Sequence, residues 1–243
     1  MKIAQKLLFL IVTSILLTSC YAPLAVSNLT PLEKQEKKWH FGKEKVTNSH
    51  SGISVECMFH RSIETKLFFE VEITNQSDST ILIDPYDFYY TSYTKDTLTL
   101  IQFVHANDPE LELLKIDKAL SINSAKAKNN NSADLLNSTM HLAADVAELT
   151  SDKNMSRTKR SLSNQKQSID NKRVYFANKN MSLNDQRNFW ENNLIRKTEL
   201  PPGYTLKGLV VFKRSPKAKF YGFNFKIEDK TYEFDYTQEM IYP

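Results

Sequence analysis

Lys66-Leu67-Phe68-Phe69-Glu70-Val71-Glu72-Ile73-Thr74-Asn75-Gln76-Ser77-Asp78 is the stretch that decides the fold class. Leu67, Phe69, Val71 and Ile73 recur at every second residue against Lys66, Glu70, Glu72 and Thr74, the period of a strand with one buried face. Asn75 to Asp78 then supply turn chemistry. The same period extends backwards, where Val55, Cys57 and Phe59 alternate with Ser54, Glu56, Met58 and His60. Forwards, a short strand at 80–83 is broken by Asp84-Pro85, and 88–94 and 98–104 are β-branched and aromatic. Strands resume after Leu200-Pro201-Pro202-Gly203, over 204–213, and then at Tyr221, Phe223, Phe225 and Ile227. A tight turn near Asp229-Lys230 leads into Tyr232, Phe234 and Tyr236, which reads as a hairpin. Each set of strands is incomplete alone. The expected fold is therefore mainly β with an α insertion: one antiparallel β-sandwich of about eight strands formed by 49–106 and 199–243 and interrupted by a helical, basic insertion over 107–198.

Within the insertion, Asp108 suits an N-cap, Pro109 the first helical turn and Glu110 the positive end of the dipole. Leu113, Ile116 and Leu120 carry a helix to about residue 128, where Asn129-Asn130-Asn131 should interrupt it. A second helix is expected over 132–149, with Leu135, Leu136, Met140, Ala143, Val146 and Ala147 on one side. Residues 150–173 are polar and read as mobile. A third helix should begin at Ser182, with Asp185 three positions on, and carry Leu183, Phe189, Trp190 and Leu194. Lys153, Arg157, Lys159, Arg160, Lys166, Lys172 and Arg173 face only Asp152 and Asp170, a formal +5. Two readings of that charge stay open: contact with an anionic surface such as lipid headgroups, or a solvated loop kept open by repulsion.

The N-terminus has a cationic start, with Lys2 and Lys6, followed by the uncharged, apolar run 7–17. These are the parts of a signal peptide over 1–19, too short for the roughly 20 residues of a permanent span. Leu17-Thr18-Ser19-Cys20 resembles the lipobox of bacterial lipoproteins. That resemblance implies diacylglycerol and an N-acyl chain on Cys20, with no other cofactor, and membrane anchorage outside the cytoplasm. Tyr21 stands where an Asp would signal inner-membrane retention, so the outer membrane facing the periplasm is expected. Residues 20–48 are assigned to a lipidated tether. Its polar stretch of about twenty residues, with Pro23, Pro31 and a charged run at 33–38, would reach about 65 to 70 Å when extended.

With Cys20 acylated, Cys57 is the only other cysteine and no internal disulfide can form. Losing Lys2 and Lys6 takes the formal charge from +4 to +2, which gives no general affinity for nucleic acid.

Two stretches together, 67–88 and Leu200-Pro201-Pro202-Gly203-Tyr204 through Phe212, resemble the telokin-like, immunoglobulin-like domains of uncharacterised bacterial lipoproteins. The resemblance covers about 50–104 and 199–237. It implies a strand ending in an Asn-containing turn and a Pro-Gly corner launching a strand whose Gly208 admits a close neighbour. It carries no agreed enzymatic role.

The histidines His40, His50, His60, His105 and His141 show no metal-ligand spacing, and no metal site is expected. Cys57 lies on an apolar face and reads as core, as does Trp190. Asp84, Asp87 and Asp96 read as turn residues ahead of a calcium site. Tyr86, Phe88, Tyr89, Tyr90 and Tyr93 allow a partner or glycan surface, although alternation buries about half of such a run. No catalytic residue is assigned. The leading expectation is a non-enzymatic cell-envelope lipoprotein, a binding or assembly-accessory module for an envelope protein or glycan. An envelope enzyme acting on cell-wall or lipid substrate, or a structural spacer, are the alternatives.

Overall fold

The computed structural model describes residues 25–94, 99–150 and 155–242. Twelve strands are seen: β1 (Val26–Pro31), β2 (Lys37–His40), β3 (Lys43–His50), β4 (Ile53–Ile63), β5 (Lys66–Asn75), β6 (Ile81–Ile83), β7 (Phe88–Tyr93), β8 (Leu100–His105), β9 (Thr198–Leu200), β10 (Thr205–Lys213), β11 (Phe220–Ile227) and β12 (Lys230–Ile241). Two helices, α1 (Pro109–Thr150) and α2 (Ser156–Asn193), separate β8 from β9. The fold is mainly β, with antiparallel sheets and a long helical insertion. One five-stranded sheet has the order β1-β12-β11-β7-β8, the other β10-β5-β4-β3-β2, and β6 pairs with β9.

The alternation read from 67–73 is what joins the layers. Leu67, Phe69, Val71 and Ile73 are fully buried in one core cluster with Phe223, Phe225, Phe234 and Tyr236 of the opposite sheet. The Phe69 ring lies 4.3 Å from that of Phe223 and 5.3 Å from that of Tyr236, between centroids. Neighbouring Phe68 points the other way, into a second cluster with Val211 of β10 and Leu113, Ile116, Trp190 and Leu194 of the insertion. β5 is therefore covered along one face by a sheet and, at Phe68, on the other by the helices.

The tether expected over 20–48 is corrected for its described part. β1 pairs along its length with β12, from Val26 opposite Ile241 to Pro31 opposite Tyr236, and β2 and β3 extend the other sheet. β1 and β2 lie at sheet edges, and in β1 one buried side chain in two suffices: Ser27, Leu29 and Pro31 are its buried positions.

Three expectations for the insertion are also corrected. Asn129-Asn130-Asn131 does not interrupt α1, 156–173 is helical instead of mobile, and α2 begins well before Ser182. Pairing of the two helices overrides the low helical preference of Asn and the lack of local apolar residues.

Asn75 ties the chain together across the insertion. Its Nδ2 donates to Ser79 O and Leu200 O, both at 2.8 Å, and its Oδ1 accepts from Ser77 N and Oγ. Its backbone also bonds with Gly203 and Tyr204. The approach to Gly208 is equally close, since a Cβ there would sit 3.0 Å from Ile195 N and 3.2 Å from Asn193 O, where the chain leaves α2. Asn75→Ala removes four hydrogen bonds from a site with no solvent exposure and takes a donor from two carbonyls. The expected loss is about 3 kcal/mol of unfolding free energy, read as a lower urea midpoint at unchanged slope.

Candidate functional site

The insertion forms a two-helix arm. Leu113, Ile116, Phe189, Trp190 and Leu194 seat it on Phe68 and Val211, and the Lys66 ammonium lies over the Trp190 ring. α1 has 42 residues, about 63 Å of helix at 1.5 Å per residue. From Asn123 to Lys166 its cross-helix hydrogen bonds and ion pairs join α1 to α2. The seam repeats every seven residues. Ile116, Asn123, Asn130, Asn137 and Ala144 are buried on α1, against Leu162, Ile169 and Trp190 on α2, with half-buried Phe176 and Leu183 completing that row. This is the heptad spacing of a coiled coil, filled on α1 mainly by asparagine.

Asn130 Nδ2 donates to Ile169 O (2.9 Å), and Asn123 Nδ2 donates to Phe176 O and to Asn180 Oδ1. Asn137 is different: it is 1 % exposed and neither Nδ2 nor Oδ1 has a partner.

The large apolar side chains of distal α1 are on the outside. Leu135, Leu136, Met140 and Leu142 are 55–70 % exposed. The stripe foreseen over 132–149 exists, but it faces away from α2 and the polar stripe faces in. A heptad count from Ile116 through the three asparagines would have shown this, whereas a search for the most apolar face chose the wrong side.

Of the basic residues singled out from sequence, Lys153 lies outside the described residues, as does Cys20. Lys159 pairs with Asp145 (2.8 Å) and with Glu148. Lys166 and Arg173 converge on Asp134, both at 2.5 Å, and on Asp170. These three cations are thus engaged by carboxylates while their side chains stay 34–49 % exposed. Arg157, Arg160 and Lys172 are exposed and take part in none of the ion pairs among the described residues. The Lys166 and Arg173 hydrogen bonds hold the Asp134 carboxyl below its usual range, and Lys159 does the same to Asp145.

On the sheets, Cys57 is fully buried, and burial pushes its thiol up, so it stays protonated and packs as core. Trp190 is core as well, at the seat of the arm. Asp84 Oδ1 accepts from Tyr86 N (3.0 Å), a turn role, and Asp84 pairs with Lys197; Asp96 is outside the described residues. Phe88 and Tyr90 are buried, while exposed Tyr86 stacks on His105. Among the described residues no group of three or more His, Cys, Asp or Glu is placed to hold a metal, and no helix is long and apolar enough to cross a membrane.

A cleft of about 410 Å³ opens between β1 and the β2–β3 hairpin, lined by Trp39, Lys43, Glu44, Phe59 and His60 among others. Its polar groups are engaged with one another: Lys43 Nζ donates to His60 O (2.6 Å) and Glu44 pairs with Lys37. Burial first, then the Lys43 and Arg61 charges, keep the His60 imidazole below its usual value. At the hairpin tip Phe41 is 95 % exposed at φ 45°, a left-handed conformation that costs a residue with a side chain about 1–2 kcal/mol. Trp39 and Phe41 were absorbed into the expected tether and missed; a Phe-Gly pair between charged alternating runs was the available signal.

No protein-family model, curated protein or solved structure matches the chain.

Two outcomes follow from the seam. Asn137→Leu replaces an unpaired buried carboxamide by an apolar side chain of similar size and should raise the stability of the arm by about 1–3 kcal/mol, seen as a higher thermal midpoint at 222 nm. No gain would mean that Asn137 is satisfied by water. Because the carboxyls of Asp134 and Asp145 are depressed in the folded state, their stabilising effect is complete above the ordinary carboxylate range of about 4. It is lost as pH falls through their lower folded values. Helical signal at low salt should therefore weaken in strong acid, and Asp134→Asn should remove much of that dependence.

Proposed function

We propose that this protein is a lipid-anchored, non-catalytic module of the bacterial cell envelope that binds another envelope component, protein or glycan, through its helical arm. The observation that carries this reading is the outward apolar stripe of Leu135, Leu136, Met140 and Leu142 on an arm whose inner seam is polar. A solvated strut has no use for four large exposed apolar side chains, and exposed apolar surface of this kind marks interaction sites. The non-catalytic part is supported by Cys57, whose thiol is packed as core, and by a cleft whose lysine and glutamate are engaged by neighbours. The anchor rests on the signal peptide and lipobox pattern ending at Cys20, and an outer-membrane, periplasm-facing location on Tyr21.

The β domain is read as an immunoglobulin-like sandwich of the telokin-like kind. Support comes from the two facing antiparallel sheets and from the bonding between the two stretches that carry the resemblance: Gly203 N donates to Asn75 O (2.6 Å), and Asn75 N to Tyr204 O (3.0 Å).

A photo-crosslinking residue placed at Leu142, and separately at Lys172 on the opposite helix, tests the arm in intact cells. Discrete adducts from position 142 alone are expected; none, or the same set from both, would sink the arm as the binding element. Fractionation tests the anchor, because Cys20→Ser should move the protein out of the membrane fraction.

A further inference from the structure

The two ends of the sheets differ in charge. One end is marked by Arg214, whose backbone N–H donates to Thr65 O (2.7 Å) and whose guanidinium donates to Ala25 O. The β4–β5 turn, the β10–β11 turn and the start of β1 therefore meet there, and Ser27 N donating to Ser62 Oγ fixes the same register. Lys213, Lys217 and Lys219 stand exposed in and beside the β10–β11 turn and take part in none of the ion pairs of the described residues. Glu64 is the one carboxylate in the two turns. Ile63 is exposed beside it, and the β2–β3 tip opens toward the same end, since Lys43 bonds to His60 near the end of β4. That tip carries Phe41, 95 % exposed, and Trp39, 75 % exposed. The opposite end groups Glu228, Asp229 and Lys230 with Ser51 and Ser77, next to Asp78.

We propose that the basic end is a lipid-docking face: Phe41, Trp39 and Ile63 enter the headgroup region of an anionic bilayer, and Lys213, Lys217 and Lys219 lie over its phosphates. The inference rests on the proposed lipid anchor. Four residues lie between Cys20 and Ala25, five steps with a reach of at most about 18 Å, so an acylated Cys20 holds this end of the sheets and no other against the surface. Near-surface lysines then act within roughly a Debye length of about 8 Å, while the acidic end points away. A second copy is disfavoured as occupant because a two-fold contact would set these lysines against themselves.

The mature chain carrying Cys20→Ser, unacylated, is mixed with vesicles of phosphatidylcholine containing 30 % phosphatidylglycerol. Trp39 is the probe, with Trp190 buried as a constant background and Trp39→Phe as the blank. Trp39 emission should shift to the blue and be quenched by brominated lipid, and the effect should weaken with salt. Exchanging Lys213, Lys217 and Lys219 together for Gln should reduce partitioning on the order of 100-fold. The same exchange at Lys115, Lys118 and Lys128 on α1 should leave it unchanged. Unquenched Trp39 overturns the face, and quenching that is equal on pure phosphatidylcholine overturns the role of the lysines. The mass of Cys20 from cells is read separately: an acylated Cys20 with unquenched Trp39 leaves the anchor standing without the face. An unmodified Cys20 removes the anchor, and the docking of the native protein with it, whatever the vesicles show.

Discussion

Phe68 and Phe69 are consecutive residues of one strand, and the pleat sends their rings to opposite faces. Phe69 closes the core between the two sheets, with Phe223 and Tyr236 at 4.3 and 5.3 Å between ring centroids. Phe68, with Val211 beside it on β10, makes the apolar seat on which Trp190, Leu194, Leu113 and Ile116 rest. The rest of the molecule follows from this division. A strand in the body of a sheet that is apolar on one face only would leave its other face to water. β5 instead needs a second layer, and the insertion supplies it. Stripping the arm away would expose at least Phe68 and Val211, a cost of about 3–6 kcal/mol on burial alone. The arm is therefore part of the fold at its base and an extension of it only further out.

The legible part of the fold lay where one residue in two is apolar and turn chemistry is explicit. The 67–73 face, the Asn75 turn, the close approach to Gly208, the hairpin of Tyr221 through Tyr236, and the burial of Cys57 and Trp190 are all seen as read. β1 was illegible for a physical reason. Its buried positions are Ser27, Leu29 and Pro31, and its pairing energy comes from backbone bonds to β12, which propensity does not register. The length of β12, twelve residues against eight in β11, left an unmatched stretch that hinted at a missing partner. Phe68 was a comparable hint, a large apolar residue on the face read as polar. The site was less legible than the fold, because the arm hides its asparagines and shows its leucines.

That inversion has a physical rationale in how the two helices choose their register. Apolar seams are permissive, since Leu on Leu is nearly as good one heptad away, whereas a polar group in the seam is satisfied in one alignment. Asp134 sits between Lys166 and Arg173, and Asn130 reaches the Ile169 carbonyl. A slip of seven residues would leave Asp134 with at most one of its two cations, which are themselves seven residues apart. The seam thus trades cohesion for alignment. The loss is made up at the seat on the sheets and leaves the outer apolar stripe uncommitted within the chain.

The pairing of β1 also changes what an anchor at Cys20 would mean. A disordered tether running from residue 20 to 48 could extend about 100 Å, enough to let the β domain sample the space between two membranes. With β1 hydrogen-bonded from Val26 and Ala25 held by Arg214, four residues are left between Cys20 and Ala25, and the reach would fall to about 18 Å. Such a leash fixes orientation as well as distance, because one end of the sheets is kept near the surface and the other cannot come round to it. Confinement at that scale raises the effective concentration of surface lysines at the headgroups to the millimolar range. Contacts that hold a free protein to a membrane only part of the time would then suffice to set its attitude, and an arm rooted on Phe68 and Val211 would be presented in a restricted set of directions.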